Sequence, residues 1–213
     1  MKLSDGQMRS FTTAAERYHE RVSNAATYLE PRGLWDPSIT DFYLLGHVTV
    51  PAPGDEEFAG RLVIPYRTPA GVVNLKFRCI RAHDCKQVEH HLRYHGYSTP
   101  DRVYNVQALH DASRTIHIAE GELDALSTTV AGFPCIGISG AHKWRPHYGK
   151  LLEDFDDVVI FADGDRSGRE FAERIKSELN NARIVYFPDG EDANSVLASD
   201  GPGNPRFRDL VEP

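Results

Sequence analysis

Residues 115–187 read TIHIAEGELDALSTTVAGFPCIGISGAHKWRPHYGKLLEDFDDVVIFADGDRSGREFAERIKSELNNARIVYF, and short apolar runs alternate there with amphipathic ones. The apolar runs, typical of strands, are TIHIAE, PCIGI, DVVIFAD and RIVYF. The amphipathic runs, typical of helices, are ELDALSTTVAG, WRPHYGKLLEDF and SGREFAERIKSELNN. Strands and helices that take turns at these lengths predict an α/β fold with a parallel sheet covered by helices.

Acidic side chains follow three of the predicted strands. Glu120 follows TIHIA, and Asp192 follows RIVYFPDGE. Asp163 and Asp165 follow VVIFA. Ligands of open α/β sheets bind beyond the carboxyl ends of the strands, so we expect the four carboxylates to converge at one edge. Convergent carboxylates repel one another unless a cation lies among them, and hard oxygen ligands suit Mg²⁺ or Mn²⁺. The pattern predicts a divalent-metal site suited to phosphoryl transfer.

Each acid also has a simpler interpretation when it is taken alone. Glu120 could stabilise the positive end of the following helix, and Asp192 could shape a turn in PDGEDAN. The pair Asp163 and Asp165 flanks a glycine at a strand end, with Ser167 available as the helix N-cap. The three motifs in this order favour the metal site.

The first half of the chain predicts a mixed α+β region. Residues 7–30 and 37–45 show helical spacing of apolar side chains, and residues 61–80 contain two β-branched runs around Thr-Pro-Ala-Gly. The latter pattern indicates a β-hairpin. Residues 83–102 are polar and irregular, and we interpret them as a long loop.

Positive charge is concentrated in the middle of a chain whose formal net charge is −7. Residues 61–105 hold eight Lys and Arg against three Asp and Glu, a local charge of 8 − 3 = +5. Alternation places Lys76 and Arg78 on one face of the second hairpin strand. A basic region beside an acidic one fits a protein that binds a polyanion and metal cations. Chance clustering on a solvated face is the alternative.

Length and composition limit the classes of protein. A chain of 213 residues with 40% hydrophobic and 26% charged residues is long enough for one or two packed subdomains. It contains no run of about 18 apolar residues and no secretion signal. We therefore expect no contact with a membrane and a cytoplasmic location, in the host bacterium if a phage encodes the protein.

Cysteine and histidine residues cluster within thirteen positions, at Cys79, His83, Cys85, His90 and His91. Two thiolates with imidazoles can bind Zn²⁺ tetrahedrally. The spacing C-x5-C differs from the CxxC knuckles of most structural zinc sites, and Cys79 lies in a predicted strand. We therefore favour a buried free Cys79 with solvent-facing histidines.

The acidic motifs AEGELDAL, FADGDRSGREFA and FPDGEDANSVL resemble the TOPRIM fold of topoisomerases, replicative primases and some nucleases. That resemblance implies catalytic roles for Glu120, Asp163 and Asp165, and a Mg²⁺ or Mn²⁺ site formed by these three residues with Asp192. Asn194 stands where the bacterial enzymes tend to have another Asp, which puts an additional ligand there in doubt.

Upstream segments narrow the resemblance to the catalytic core of bacterial and phage primases. The matching stretches are AATYLEPRGLWDPSITDFYLLGHV, RLVIPYRTPAGVVNLKFR and RYHGYSTPDRVYNVQAL. The resemblance implies a helical and basic β subdomain at 1–105, a TOPRIM domain at 106–200 and a tail at 201–213. We expect a core that lacks the zinc-binding and helicase domains of many replicative primases.

The resemblance implies a DNA primase that makes short RNA primers on single-stranded DNA from ribonucleoside triphosphates, with a separate replicative helicase as a further partner. The side chains that the resemblance implies bind nucleotide or template are Arg61, Lys76, Arg78 and Arg93. Lys143, which follows PCIGI in a basic and aromatic segment, is a further candidate because such side chains suit phosphates and bases. The alternative for the four arginine and lysine residues of the first half is that they only keep the hairpin surface soluble. The alternative for the segment around Lys143 is that Trp144 simply anchors the next helix. A TOPRIM nuclease and a non-catalytic replication adaptor are the competing functions.

Overall fold

The computed structural model describes residues 3–83, 85–87, 92–97, 101–112, 114–200 and 203–212. The chain divides into two compact units, an N-terminal unit of Met1–Pro100 and a C-terminal unit of Asp101–Pro213. This division lies five residues before the boundary expected at 105/106. The two histidines His90 and His91 of the Cys/His cluster lie outside the described residues.

The N-terminal unit combines helices with one antiparallel sheet of strand order β1-β2-β3-β4. Its helices are α1 (Asp5–His19), α2 (Ala26–Leu29) and α3 (Pro37–Tyr43), and its strands are β1 (Gly46–His47), β2 (Arg61–Thr68), β3 (Gly71–Cys79) and β4 (Tyr94–Gly96). Helix α1 begins at a capping box of Ser4 and Gln7. A 3₁₀ turn, Val22–Ala25, separates α1 from α2.

Strands β2 and β3 form the predicted hairpin, with a register that runs from Arg61↔Cys79 to Thr68↔Gly71. Alternation along β3 buries Leu75 and Phe77 in a core shared with α1. Phe77 stacks on Phe58 with ring centroids 3.9 Å apart. The opposite face of β3 carries side chains of intermediate exposure, as the sequence predicts for Lys76 and Arg78.

The prediction of a loop over residues 83–102 is wrong for part of that segment. Strand β4 lies within it and pairs with β3 through Lys76↔Gly96 and Arg78↔Tyr94. Three residues are too few to show a strand period in the sequence, and β4 forms because it satisfies the open edge of β3.

The C-terminal unit contains a four-stranded sheet of order β6-β5-β7-β8 in which every pairing is parallel. Its strands are β5 (Thr115–Ala119), β6 (Cys135–Gly137), β7 (Asp157–Ala162) and β8 (Ala182–Tyr186). Its helices are α4 (Ala108–Asp111), α5 (Glu122–Val130), α6 (Arg166–Lys176), α7 (Ala193–Ser199) and α8 (Pro205–Val211). The predicted fold class, a parallel sheet flanked by helices after a smaller α+β unit, is confirmed.

Two segments of this unit differ from the sequence prediction. The helix expected over residues 144–155 is a 3₁₀ helix, Pro146–Leu151, because Pro146 and Gly149 both disfavour a continuous α-helix. Trp144 before it is fully buried and donates a hydrogen bond from Nε1 to Glu178 (3.0 Å). This contact supports the anchoring interpretation of the tryptophan.

The segment expected to be a C-terminal tail contains helix α8. Phe207 of this helix is fully buried, and its ring centroid lies 5.2 Å from that of Phe133 and 5.7 Å from that of Phe161. Arg183 on β8 also donates to the carbonyl of Val211 (2.7 Å). These contacts make α8 part of the packed unit.

No helix in the described part of the chain has both the length and the apolar character needed to cross a bilayer.

Candidate active site

Neighbouring strand ends bring the first acidic motifs together. Glu120 directly follows β5, and Asp163 directly follows β7. The two strands are parallel neighbours, with Ile118 opposite Ile160. Adjacent strands lie about 4.8 Å apart, so carboxylates that leave the same edge of both strands start within reach of one ion.

Backbone hydrogen bonds hold the Asp163–Asp165 loop against the segment before Asp192. The amide of Gly164 donates to the carbonyl of Glu191 (2.7 Å), and the amide of Gly190 donates to the carbonyl of Gly164 (2.8 Å). A Cβ atom on Gly164 would lie 1.8 Å from the carbonyl oxygen of Pro188. Only glycine allows this approach, which carries Asp192 to the same site as the strand-end acids.

Asp165 and Asp192 are also helix caps. Oδ1 of Asp165 accepts a bond from the amide of Gly168 (2.7 Å) at the start of α6, and Oδ1 of Asp192 accepts one from the amide of Ser195 (2.7 Å) at the start of α7. Ser167, the N-cap expected from the sequence, instead donates to Oε1 of Glu120 (3.4 Å). Because a carboxylate has two oxygens, capping fixes its orientation and leaves it able to bind a cation.

The charges of the neighbouring acids act on Asp163. Burial raises the pKa of Asp163, and the carboxylates of Asp124, Asp192, Glu120 and Asp165 raise it further, to about 8. Like charges disfavour the ionised form of a carboxyl group. The structure therefore brings together all four acids that the sequence singles out. Each of them is negative when ionised, so the four acids themselves supply no positive charge.

Glu120 is affected by the same environment. Burial raises the pKa of its carboxyl group, and the charge of Asp165 adds to the rise. The hydrogen bond from Ser167 acts in the opposite direction because it stabilises the ionised form. Glu120 is therefore oriented towards the start of α6.

Sequence reasoning missed Asp124 as a member of this cluster. Asp124 lies in the first turn of α5, and after burial its charge is the largest cause of the raised pKa of Asp163. Its Oδ1 accepts a bond from the backbone amide of Asn194 (3.1 Å). A usable signal exists in EGELD, because side chains in a first helical turn point back towards the helix N-terminus.

The donor set fits a hard divalent cation. All five clustered side chains offer carboxylate oxygens, which are the ligands that Mg²⁺ and Mn²⁺ prefer. Burial and the like charges around Asp163 oppose its ionisation, and a divalent cation would offset the like charges. The ligand roles of Glu120, Asp163, Asp165 and Asp192 stay a prediction.

Basic and aromatic side chains alternate on one face of the N-terminal sheet. The guanidinium of Arg78 lies over the ring of Tyr94 (4.8 Å to the centroid) and 5.7 Å from the centroid of Tyr28. Nζ of Lys76 lies 5.0 Å from the centroid of Tyr94. Nε of Arg78 is buried, and no hydrogen-bond partner reaches it within residues 3–83 and the other described ranges.

The other basic residues singled out by the sequence have different surroundings. Arg61 is only 6% exposed, and its Nη1 donates to the carbonyl of Leu92 (2.8 Å). A guanidinium held inside the fold in this way stabilises the chain and is not available to bind a template at the surface. Arg93 is exposed. Lys143 forms an ion pair with Asp101 (2.7 Å) in the C-terminal unit.

Comparisons with known proteins agree with this architecture. Residues 117–197 match the family model described as Toprim-like. Gene 57 protein of Mycobacterium phage D29 is 45% identical over 100 residues, which are 47% of this chain and 66% of that protein. The DNA primase of Pseudomonas putida strain KT2440 is 29% identical over 94 residues, 40% of this chain and 14% of that enzyme.

A solved DnaG primase catalytic domain bound to single-stranded DNA superposes with a TM-score of 0.72. It is 17% identical in sequence, and the match covers 97% of this chain and 77% of that domain. Residues 117–197 of the chain therefore form a Toprim-like domain. Its architecture over nearly its whole length is that of DNA primase catalytic cores.

Proposed function

We propose that this chain is the catalytic core of a DNA primase that synthesises short RNA primers on single-stranded DNA during phage DNA replication. The observation that carries this proposal is the convergence of Glu120, Asp163, Asp165 and Asp192 at one edge of the parallel sheet. The primase-core fold and the similarity to a phage protein support it.

The hydrogen bonds and burial of each acid would determine its part in binding a divalent cation. A bound Mg²⁺ or Mn²⁺ supplies a Lewis acid for attack of a primer 3′-hydroxyl on a nucleoside triphosphate. Asp165 and Asp192 are held in place by the amides at the starts of α6 and α7, which also favour negative charge there. Asp163 would be held ionised by a neighbouring cation, and Glu120 is oriented by the hydrogen bond from Ser167.

The basic face of the N-terminal unit is the proposed template surface, defined by Lys76, Arg78, Arg93 and Tyr94. Arginine and lysine attract phosphates, and an aromatic ring offers a stacking platform for bases. Arg78 and Lys76 both lie against the ring of Tyr94, which places two positive charges beside one aromatic platform. The DNA-bound DnaG domain supports single-stranded DNA as the polyanion.

The proposal includes ribonucleoside triphosphates as substrates, with Lys143 as a candidate contact once its ion pair with Asp101 opens. It also includes a separate replicative helicase as partner and the bacterial cytoplasm as location. Both follow from the proposed role in replication.

Primer synthesis tests the proposal directly. The protein is incubated with single-stranded DNA, labelled ribonucleoside triphosphates and Mg²⁺ or Mn²⁺, and the products are separated by length. We expect short RNA from the wild type and none from Asp165→Asn. Asp154→Asn, which changes an exposed aspartate of the same unit, serves as the control and should remain active.

Two other outcomes would contradict the proposal. Cleaved DNA without RNA would indicate a TOPRIM nuclease that uses the same acids. Binding of DNA with neither RNA nor cleavage, under both metals, would indicate a non-catalytic replication adaptor.

A further inference from the structure

We propose that Cys79, His83 and Cys85 of the N-terminal unit form a zinc-binding site. The three side chains belong to a different unit of the chain from the carboxylate cluster. Their ligand chemistry also differs, because thiolate and imidazole suit Zn²⁺ whereas carboxylates suit Mg²⁺.

The distances between the ligand atoms already fit one tetrahedral ion. Nε2 of His83 lies 3.7 Å from Sγ of Cys79 and 3.4 Å from Sγ of Cys85. The three ligand atoms all lie within 4.8 Å of one another. Tetrahedral bonds of about 2.3 Å to sulfur and about 2.0 Å to nitrogen place those ligand atoms about 3.5 Å apart. The described side chains therefore need little movement to bind zinc.

Local folding overcomes the unusual C-x5-C spacing. Cys79 is the last residue of β3, and its amide donates to the carbonyl of Arg93 (2.8 Å). The chain then turns, with the amide of His83 bonded to the carbonyl of Arg81 (2.9 Å), and Cys85 begins a 3₁₀ helix. This turn brings both cysteines to the same histidine, which the sequence spacing does not reveal.

Charge and burial also suit this ion. Both cysteines are buried, and His83 is exposed at the rim. When zinc replaces the two thiol protons, which leave to solvent, two thiolates balance its double positive charge. Burial raises the pKa of the Cys85 thiol, and the neighbouring guanidinium of Arg93 opposes that rise. No electron transfer is involved. Three protein ligands leave one position for water on the exposed side.

The site would brace the chain that leads to the proposed template surface. Arg61 already holds the carbonyl of Leu92 (2.8 Å), and Cys79 holds that of Arg93 (2.8 Å). A zinc ion bound by Cys79, His83 and Cys85 would link these three residues to each other beside that part of the chain. The carboxylate chemistry of the C-terminal unit does not depend on this ion.

Metal content tests the site in the full-length protein. The protein is purified without chelators or an immobilised-metal step, and its zinc is measured by mass spectrometry. We expect about one zinc per chain in the wild type. Cys79→Ser and Cys85→Ser should lose it, whereas Cys135→Ser, which changes a buried thiol of the C-terminal unit, should retain it.

Thiol labelling of the wild type decides the question even if a variant fails to fold. We expect Cys79 and Cys85 to resist alkylation in the purified protein and to react after zinc is chelated, with Cys135 unchanged. Three results would overturn the proposal: no bound zinc, zinc retained in both cysteine variants, or a Cys79–Cys85 disulfide in the native protein.

Discussion

Replacement of Asp163 by asparagine is expected to stabilise the metal-free protein while it abolishes metal-dependent activity. The folded protein raises the pKa of Asp163 from 3.8 to about 8, chiefly through burial and then through the neighbouring carboxylates. In the unfolded chain the same group ionises normally. Between pH 4 and pH 8 the folded state therefore binds the extra proton, and stability falls as pH rises through this window.

The size of the effect follows from the pKa difference. At pH 7 the solution lies about 3 pH units above the pKa of Asp163 in the unfolded chain, so ionisation stabilises the unfolded state there. At about 1.4 kcal/mol per unit, this lowers the free energy of unfolding by at most about 4 kcal/mol. Partial access of solvent to the side chain lowers this, and we expect a gain of about 2 kcal/mol or more for Asp163→Asn. Asparagine keeps the shape of the residue and removes its charge.

Urea unfolding with EDTA present, at pH 5 and pH 7.5, measures this gain. As pH rises from 5 to 7.5, the stability of Asp163→Asn should increase relative to that of the wild type, whereas the control Asp154→Asn should stay equal to the wild type at both pH values. Mg²⁺ should stabilise the wild type and leave Asp163→Asn unaffected, because an ion that binds only the folded state adds to its stability. A variant no more stable than the wild type at pH 7.5, with the same pH dependence, would refute the reasoning.

Three further substitutions test other parts of the structure. Gly164→Ala should destabilise the protein by about 3 kcal/mol, because a Cβ atom 1.8 Å from a carbonyl oxygen disrupts the two backbone hydrogen bonds of Gly164. The control Gly149→Ala, whose added Cβ would have its nearest contact at 3.5 Å, should change stability little in the same urea assay. Burial lowers the pKa of His117 to about 4, so this residue destabilises the fold as pH falls below about 6.5, opposite in sign to Asp163; relative to the wild type, His117→Gln should gain about 2 kcal/mol of stability between pH 7 and pH 5. Arg78→Gln should weaken binding of single-stranded DNA for all sequences and lower its salt dependence by about one charge, in contrast to the exposed Arg114→Gln.

Each of these predictions has a clear contrary result. Equal stability of the two glycine variants would mean that the backbone hydrogen bonds between Gly164 and residues 190–191 contribute little to stability. An unchanged pH dependence in the histidine variant would remove that residue from acid destabilisation. Equal DNA affinity in the two arginine variants would exclude the basic face as the template surface.

The alternation of apolar and amphipathic runs was sufficient to predict the parallel sheet, because parallel strands buried on both faces are continuous apolar segments. The positions of Glu120, Asp163 and Asp165 could be predicted for a related reason. Glu120 and Asp163 directly follow a strand and Asp165 lies three residues beyond the end of one, and strand ends in such a sheet share one edge. The approach of Asp192 depends on a backbone clasp at Gly164, which only the folded structure shows.

Features set by distant contacts were beyond the sequence. Asp124 lies in the first turn of α5, where an acidic residue is expected simply because it stabilises the positive end of the helix. Arg61 begins a strand like any exposed arginine, and its burial depends on a carbonyl 31 residues away. The meeting of Cys79 with Cys85 depends on a tight turn with no recognisable signature.

The central claim is that the strand-end carboxylates hold a divalent cation, and anomalous diffraction from crystals soaked in Mn²⁺ measures this most directly. We expect a manganese peak bonded to carboxylate oxygens of Glu120, Asp163 and Asp165 at about 2.1 Å, with no such peak in Asp163→Asn. An empty carboxylate cluster at saturating Mn²⁺, or a peak bound only elsewhere on the protein, would contradict the account.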